Sequence, residues 1–164
     1  MKIRRVLVVC TGNTCRSPMA AALLSHLWQQ VNPGWDLTVE SGGIAALPGL
    51  PASADAVEAL RRMGLDLSGH RSRVVSAEWL EGADLVLTMT ARHKEQVLAM
   101  QPSLAGRVFT LGEYAGSGQE VPDPFGGSLE TYERTARLLK EMLQSVVERI
   151  SREATSEDES GHRV

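Results

Sequence analysis

The sequence predicts an α/β protein: a single domain of three α/β/α layers built on a four-stranded parallel sheet. Two observations support this fold class. Short apolar runs rich in β-branched residues alternate with longer segments of helical periodicity, which is typical of βαβ units. The length of 164 residues suits one domain with a full-sized hydrophobic core. Strands that alternate with helices imply a parallel sheet with right-handed crossovers, and ligands bind such sheets at the carboxyl ends of the strands.

The first half of the chain alternates predicted strands with predicted helices. Val6–Val9 is apolar and β-branched, as expected for a strand buried on both faces. Ser17 and Pro18 indicate the N-cap and the first residue of the next helix, in which apolar residues recur at helical spacing. Gly64 marks the end of the second helix. The predicted elements are, in order, a strand over 6–9, a helix from Pro18 to Val31, a strand over 37–40, a loop over 45–51 and a helix over 52–63.

The second half continues this alternation. The apolar run ADLVLTM predicts a third buried strand, and a long Gly- and Pro-rich loop precedes the last helix. The final residues lack periodicity and are mostly polar, which predicts a disordered tail. The predicted elements are a helix over 76–81, a strand over 83–89, a helix over 91–100, a strand over 107–111, a loop over 112–127 and a helix over 128–150, giving a domain over 1–152 and a tail over 153–164.

Composition and charge exclude several classes of partner. The net charge is −3, and no Lys/Arg cluster is large enough to follow a nucleic-acid backbone, so no nucleic-acid partner is expected. No segment approaches the long uncharged apolar run of a membrane span, so no membrane partner is expected. The apolar stretch Val6–Cys10 is too short for a signal peptide, which favours a cytoplasmic protein. The two cysteines cannot build a disulfide framework, so their role must be local.

The segment CTGNTCR, residues 10–16, joins the first strand to the first helix. In such a loop several backbone N–H groups converge, and together with the helix dipole they bind an anion. Gly12 and Asn13 are the residues best able to adopt the left-handed backbone that the curl requires. Arg16 can hold two oxygens of a phosphoryl group, and Cys10 lies in the same positive field, which favours its thiolate. A thiolate facing a bound phosphoryl group is a nucleophile for phosphoryl transfer.

The two cysteines also fit a structural role or a metal site. Cys10 and Cys15 can both be small buried hydrophobic residues of an ordinary βα turn. This accounts for the apolar position of Cys10 but not for the joint placement of Gly, Asn, Arg and Ser around it. A metal site of the Cys-x4-Cys type needs two further ligands. The histidines form no supporting pattern, since His26, His93 and His162 are interpreted as solvent-exposed, and no metal is expected.

With the Ser-Pro pair that follows Arg16, residues 8–20 resemble the phosphate-binding loop C-x5-R-S-P of the low-molecular-weight protein phosphatase family. Further motifs of that family recur in order through about residue 150: ESGG at 40–43, GHRSR at 69–73, ADLVLTMT at 83–90 and DPFGG at 123–127. The resemblance implies a cysteine-dependent phosphatase that acts on phosphorylated proteins through a phosphocysteine intermediate, without a cofactor. The implied phosphate-binding residues are Thr11, Gly12, Asn13, Thr14, Cys15, Arg16 and Ser17.

Asp123 is the general acid that the resemblance implies. It stands before Pro124 in the long loop near the fourth strand, where it can overhang the first loop. Alone, an Asp-Pro pair is more simply a turn initiator. Paired with the cysteine loop, Asp123 is expected to protonate the leaving group and then to activate the water that hydrolyses the phosphocysteine. The implied catalytic residues are therefore Cys10, Arg16 and Asp123.

Two departures from the tyrosine-specific pattern of the family bear on the substrate. Thr14 stands where tyrosine phosphatases usually carry a branched aliphatic residue, and Phe125-Gly126-Gly127 stands where they often show an aromatic pair. Both features resemble the protein-arginine phosphatase branch. An aliphatic wall suits a phenyl ring, whereas Thr14 adds a hydroxyl that can bond a guanidinium N–H, and Phe125 supplies one apolar wall. Phosphoarginine is the predicted substrate and phosphotyrosine the alternative; Thr14 can also be a spacer whose hydroxyl bonds only the loop backbone.

Four polar residues are expected to support the loop. The Ser17 hydroxyl can cap the helix and donate a hydrogen bond to the thiolate. Asn13 is expected to bond across the loop and hold its curl, and the resemblance implies Ser41 and His70 as its partners. Taken alone, His70 is more simply a surface loop histidine and Ser41 a turn residue.

Cys15 has two interpretations. It can be a buried wall residue, or its sulfur can pair reversibly with Cys10 and protect the nucleophile from over-oxidation. A disulfide requires the two Cα atoms to lie within roughly 7 Å, which the sequence does not give.

Two rival functions use the same fold. Arsenate reduction usually needs further cysteines for a redox relay, and none follows Cys15, whereas a non-catalytic phosphate-binding module is expected to lose the catalytic residues. A monomer or weak self-association is expected.

Overall fold

The computed structural model describes residues 2–31 and 33–161, with side chains up to residue 154. Four strands form its central sheet: β1 Arg5–Cys10, β2 Thr38–Gly43, β3 Leu85–Thr88 and β4 Val108–Thr110. Their order is β2-β1-β3-β4, and every neighbouring pair is parallel. The predicted four-stranded parallel sheet is therefore confirmed.

Helices cover both faces of this sheet. They are α1 Arg16–Val31, α2 Ala54–Arg61, α3 Ala77–Glu81, α4 Ala91–Met100, α5 Leu111–Ala115 and α6 Leu129–Gly161, with a short 3-10 turn over Pro102–Leu104. One face, with Val6, Val8 and Leu87, packs against α1, α2, α5 and α6. The other face, with Leu7 and Val9, packs against α3, α4 and the 3-10 turn. Because both faces are buried, the strands are apolar throughout, and the predicted three layers are confirmed.

The strand order positions the loop that follows β1. From β1 the chain continues through α1 to β2 on one side, whereas from β3 it continues through α4 to β4 on the other side. The chain thus diverges between β1 and β3, and α/β proteins bind ligands in the crevice at such a point. Cys10, the last residue of β1, lies at this crevice opposite Gly43 at the end of β2.

The start of α1 differs from the prediction. The helix begins at Arg16, so Ser17 and Pro18 lie inside its first turn, and the assignment of Ser17 as the N-cap is wrong. The Ser17 hydroxyl oxygen instead lies 2.8 Å from Cys10 Sγ and 2.9 Å from Asn13 Nδ2. These partners in the preceding loop replace the helix N–H groups that a capping serine would bind.

A short helix follows β4 where the sequence predicts the end of a strand and the start of a loop. Thr110 and Glu113 form a capping box that starts α5. The Glu113 N–H donates to Thr110 Oγ1 over 3.0 Å, and the Thr110 N–H donates to Glu113 Oε1 over 2.8 Å. The predicted strand over 107–111 therefore ends at Thr110, because two reciprocal side-chain bonds favour a helix there.

The last helix is longer than predicted. It continues past Ile150 to Gly161, with Ala154 buried, whereas the sequence predicted a disordered tail from residue 153. No proline or glycine interrupts the segment before Gly161, which removes the usual reason for a helix to end. The rest of the predicted tail, 162–164, lies outside the described residues, and so does His162. Within the described part of the chain, no helix is long and apolar enough to cross a membrane.

Candidate active site

Cys10 lies at the base of the loop and is 3% exposed. The Asn13 backbone N–H donates to Cys10 Sγ over 3.3 Å, and the Ser17 hydroxyl oxygen lies 2.8 Å from the same sulfur. Asn13 has the left-handed φ of 57° that the curl was predicted to need, whereas Gly12 does not adopt a positive φ. Donors aimed at one sulfur stabilise a thiolate, which is the nucleophilic form of cysteine.

The fully buried Asn13 side chain connects the loop to the rest of the fold. Its Nδ2 donates to Ser17 Oγ and to Ser41 Oγ, each over 2.9 Å. The side-chain Oδ1 accepts from the Arg73 backbone N–H over 2.9 Å. The backbone carbonyl of Asn13 accepts from His70 Nε2 over 2.7 Å. The structure thus brings together the four residues that the sequence singled out as supports of the loop, Asn13, Ser17, Ser41 and His70. Arg73 joins them through its backbone N–H.

The loop packs closely over Gly43. A Cβ at this position would lie 2.5 Å from the Thr11 carbonyl oxygen and 3.1 Å from Asn13 Cβ. Because the first of these atoms belongs to the backbone, the loop itself would have to move to accept any side chain.

We expect Gly43→Ala to lower the free energy of unfolding by about 2–3 kcal/mol, since an added methyl group overpacks the interface with the loop. Urea unfolding monitored by circular dichroism measures this change. Gly69→Ala is the matched control, because a Cβ at Gly69 meets nothing within 4 Å. Equal stability of the two variants would show that the loop tolerates displacement at Gly43.

Arg16 and Asp123 meet above the loop although the chain separates them widely. The Arg16 side chain is 7% exposed, and its Nη2 lies 3.8 Å from Asp123 Oδ2. Its Nη1 donates to the Val121 carbonyl over 2.9 Å, while the Val121 N–H donates to the Met89 carbonyl over 3.1 Å. These two bonds anchor the loop over 116–128, which contains Glu120 and Asp123 and is called the acidic loop below, at the end of β3. Asp123 is 55% exposed, and its Oδ1 accepts from the Phe125 N–H over 3.0 Å, which holds the carboxylate in a local turn.

A cavity of about 220 Å³ opens between the loop and Asp123. Residues 10–16, Asp123 and Phe125 line it, so it contains every predicted catalytic and specificity residue. Ser17 is fully buried and lies behind Cys10 rather than in the lining. Phe125 is 79% exposed and forms the rim. A thiol at the floor, a guanidinium at the wall and a carboxylate at the mouth are what phosphoryl transfer to sulfur requires.

A larger cleft, about 420 Å³, lies on the other side of Ser41 and His70. Pro18 and Glu40 belong to its lining, which contains no cysteine. Of these two cavities, the smaller is the better candidate for the active site, because its lining combines a cysteine thiol with the Arg16 guanidinium and the Asp123 carboxylate.

Cys15 is buried, and both cysteines are free thiols. Cys15 Sγ lies 3.4 Å from the Tyr132 hydroxyl oxygen and 3.6 Å from Ser53 Oγ. Burial and the neighbouring thiol raise the pKa of Tyr132 to about 12, which keeps the phenol protonated as a donor. These contacts support the interpretation as a wall residue. A reversible disulfide with Cys10 stays a prediction.

His93 is not solvent-exposed as predicted. It is 5% exposed, and its Nε2 lies 2.8 Å from Thr11 Oγ1. The sequence did contain a signal for this position: His93 and Val97 are four residues apart in α4, and both face the interior. His26 is partly exposed, which agrees better with its interpretation as a surface residue. The Val121 carbonyl and the Arg73 N–H also belong to the site. Nothing in the sequence indicates this, because almost every residue carries the same backbone groups.

Comparisons with known proteins find phosphatases that are similar to this chain. The family model of the low molecular weight phosphotyrosine protein phosphatases matches residues 5–156. A protein-arginine-phosphatase of Bacillus subtilis is 40% identical over 149 residues, covering 90% of this chain and 97% of the relative. A probable low molecular weight protein-tyrosine-phosphatase, EpsP, of Ralstonia solanacearum is 38% identical over 148 residues, covering 90% and 97%. The solved structure of a cysteine-to-serine mutant of YwlE arginine phosphatase, with a phosphorylated active-site serine, superposes with a TM-score of 0.84 at 40% identity, covering 89% of this chain and 95% of that one.

Proposed function

The chain belongs to the low-molecular-weight phosphotyrosine protein phosphatase family, and from that membership we propose that it removes phosphoryl groups from arginine side chains of proteins. It is a cysteine-dependent protein phosphatase, so its substrates are phosphoproteins. The observation that carries the proposed chemistry is the cavity in which Cys10 Sγ lies below Arg16 and Asp123.

The proposed reaction has two steps. In the first, the Cys10 thiolate attacks phosphorus, an S–P bond forms, the P–N bond to the substrate breaks, and Asp123 gives its proton to the leaving nitrogen. In the second, water attacks phosphorus, the S–P bond breaks to restore the thiolate, and the Asp123 carboxylate takes the proton of the water. The phosphorylated active-site serine of the YwlE mutant supports covalent transfer to the residue in this position.

Arg16 and the loop amides supply the positive charge that the transition state needs. The loop between β1 and α1 lines the cavity, and its Asn13 N–H donates to Cys10 Sγ. The bond from Arg16 Nη1 to Val121 fixes the guanidinium before substrate arrives. A preorganised donor costs no rearrangement when charge develops on the equatorial oxygens.

Thr14 carries the proposed preference for phosphoarginine. It is partly buried and lines the cavity, and its Oγ1 lies 3.8 Å from Cys15 Sγ, which is a weak contact. The hydroxyl oxygen has two lone pairs and therefore retains the capacity to accept a guanidinium N–H. The Gly126-Gly127 pair carries less weight than the sequence suggested. Gly126 has a φ of 79°, and the Gly127 N–H donates to the Pro124 carbonyl, so a tight turn explains both glycines.

Hydrolysis of phosphotyrosine is the second candidate. Relatives named for each activity match this chain almost equally, at 40% and 38% identity, so overall similarity does not separate the substrates. The exposed Phe125 at the rim can contact a phenyl ring as well as the stem of an arginine.

We expect the wild-type enzyme to hydrolyse phosphoarginine with a higher kcat/KM than phosphotyrosine, and Thr14→Ile to reverse the order. The substitution removes the acceptor and adds an aliphatic wall, so a shift in the ratio of the two kcat/KM values by about 10-fold to 100-fold is expected. Parallel kinetics on both substrates measure it, with Thr14→Ser as the matched control that keeps the hydroxyl.

A wild-type preference for phosphotyrosine would leave the phosphatase mechanism intact and overturn the role of Thr14. Activity on neither substrate by folded, reduced protein would favour a non-catalytic phosphate-binding module.

The enzyme is further proposed to work in the cytoplasm, as a monomer or with weak self-association. Its two cysteines are free thiols, and a thiol nucleophile operates only while it is reduced. Gel filtration across a range of protein concentrations tests the proposed oligomeric state, which would be overturned by a dimer that persists on dilution.

A further inference from the structure

His93 contacts the nucleophile loop from the side of α4. It is the third residue of that helix, and its backbone N–H donates over 3.3 Å to Oγ1 of Thr90, the N-cap residue. The ring is buried, and its Nε2 lies 2.8 Å from Thr11 Oγ1. A buried imidazole therefore meets the loop at the residue that directly follows Cys10.

The surroundings of the ring favour one protonation state and one tautomer. Nδ1 is buried and has no hydrogen-bond partner among the residues that the structure describes. A buried N–H without an acceptor is rarer in proteins than an unsatisfied acceptor, so the proton belongs on Nε2. The imidazolium form, which carries N–H on both nitrogens, is disfavoured for the same reason. Nε2–H then donates to Thr11 Oγ1.

The charged groups near His93 come from three parts of the chain. The pKa of His93 is lowered to about 4. Burial is the largest cause, and the positive charge of Arg16 is the second largest. Arg92, the neighbour in α4, acts in the same direction, whereas Asp123 and Glu120 in the acidic loop oppose it. The imidazole is therefore neutral near neutral pH.

We propose that neutral His93 is a positioning residue that orients the Thr11 hydroxyl toward the bound phosphoryl group. Because Thr11 Oγ1 accepts from Nε2–H, its own hydrogen is free to donate to another acceptor. Thr11 lines the cavity, and a phosphoryl oxygen of the bound substrate is the acceptor that we assign to this hydrogen. This inference rests on the proposed function and assigns His93 a role in it that the sequence did not indicate.

Four variants test the proposal. His93→Leu removes the donor at similar volume, and His93→Gln keeps an amide N–H near the place of Nε2 without titrating. Thr11→Val removes the hydroxyl, and the double variant T11V/H93L shows whether His93 acts through Thr11. His26→Gln is the matched control, since His26 is a partly exposed histidine of α1.

We expect His93→Leu to lower kcat/KM by about 10-fold, the effect of one lost hydrogen bond in a preorganised site. His93→Gln and His26→Gln stay within about two-fold of wild type, and T11V/H93L is no slower than Thr11→Val. Full activity of His93→Leu, or losses that multiply in the double variant, would overturn the proposal. Thermal unfolding of each variant separates these effects from loss of the fold.

The tautomer of the ring gives a readout that a purely structural role would not move. NMR of ¹⁵N-labelled imidazole is expected to show the Nε2–H tautomer near neutral pH. Protonation as the pH falls through about 4 adds a proton at Nδ1 and leaves the Nε2–H donor in place, so Nε2 is expected to stay protonated across this range. The Nδ1–H tautomer near neutral pH would contradict the proposal.

Binding of inorganic phosphate separates this inference from the proposed function. Calorimetry on wild type, Thr11→Val and His93→Leu measures the phosphate Kd without any turnover. An increase in Kd of about 10-fold in both variants is expected from the loss of one donor to the anion. Failure of wild type to bind phosphate or to turn over substrate would overturn the proposed function. Normal wild-type activity with an unchanged Kd in His93→Leu would overturn only the role of His93.

Discussion

Replacing Cys10 by serine is expected to lower turnover by about 10⁴-fold or more while the protein still binds inorganic phosphate. The serine hydroxyl is far less acidic than a thiol, so the hydrogen bonds from the Asn13 N–H and Ser17 no longer produce an anionic nucleophile. Phosphate binding depends on Arg16 and the loop amides, which the substitution leaves in place.

Two measurements check this expectation. Kinetics on phosphoarginine give the loss of kcat, and calorimetry gives the phosphate Kd, which is expected to change by no more than about three-fold since no donor to the anion is removed. Rapid acid quench of the wild-type reaction, followed by mass spectrometry, is expected to find one phosphoryl group on the peptide that contains Cys10. Cys15→Ser is the matched control for removal of a thiol and is expected to retain far more turnover than Cys10→Ser. Residual turnover above one hundredth of wild type in Cys10→Ser would exclude Cys10 as the nucleophile.

Replacing Arg16 by lysine is expected to lower kcat/KM by about 10³-fold although the charge is unchanged. The Arg16 guanidinium performs two tasks at once: Nη1 holds the Val121 carbonyl, while Nη2 faces the cavity beside Asp123. A lysine ammonium is a single point charge and cannot hold the acidic loop and clamp two phosphoryl oxygens together.

Kinetics separate the two tasks of Arg16. Loss of the phosphate clamp raises KM and the phosphate Kd, whereas displacement of the acidic loop lowers kcat because Asp123 no longer reaches the leaving group. We expect both changes in Arg16→Lys. Arg61→Lys is the matched control, since Arg61 is 68% exposed and bonds only to Glu58 among its described contacts. If Arg16→Lys were as active as Arg61→Lys, catalysis would not depend on the geometry of the guanidinium at position 16.

Sequence reasoning succeeded where the physical cause is local. The alternation of apolar strands with helices predicted the parallel sheet, because burial on both faces requires apolar strands. The curled loop before α1 was predicted from its place between a strand and a helix and from Asn13, a residue type that tolerates the left-handed backbone. The capping box of Thr110 and Glu113 was equally local, and attention to that pair would have predicted α5.

Sequence reasoning failed where a distant partner decides the state of a residue. Ser17 looked like an N-cap because the capping signal is local, but its hydroxyl is bound by Cys10 and Asn13 in the folded loop. His93 looked solvated because isolated histidines usually are, yet α4 buries it against Thr11, 82 positions away in the chain.

The sequence by itself determined the fold class and the chemistry of the loop, because the periodicity of burial and the spacing of Cys10 and Arg16 are properties of short segments. Only the tertiary structure decided what completes the site. It brought Asp123 to 3.8 Å from Arg16, used the Val121 carbonyl as the anchor, and set a neutral His93 beside the loop. These contacts join the ends of β1 and β3 to α4 and the acidic loop. No local pattern specifies them, since they arise only when the parallel strands align their carboxyl ends at one edge.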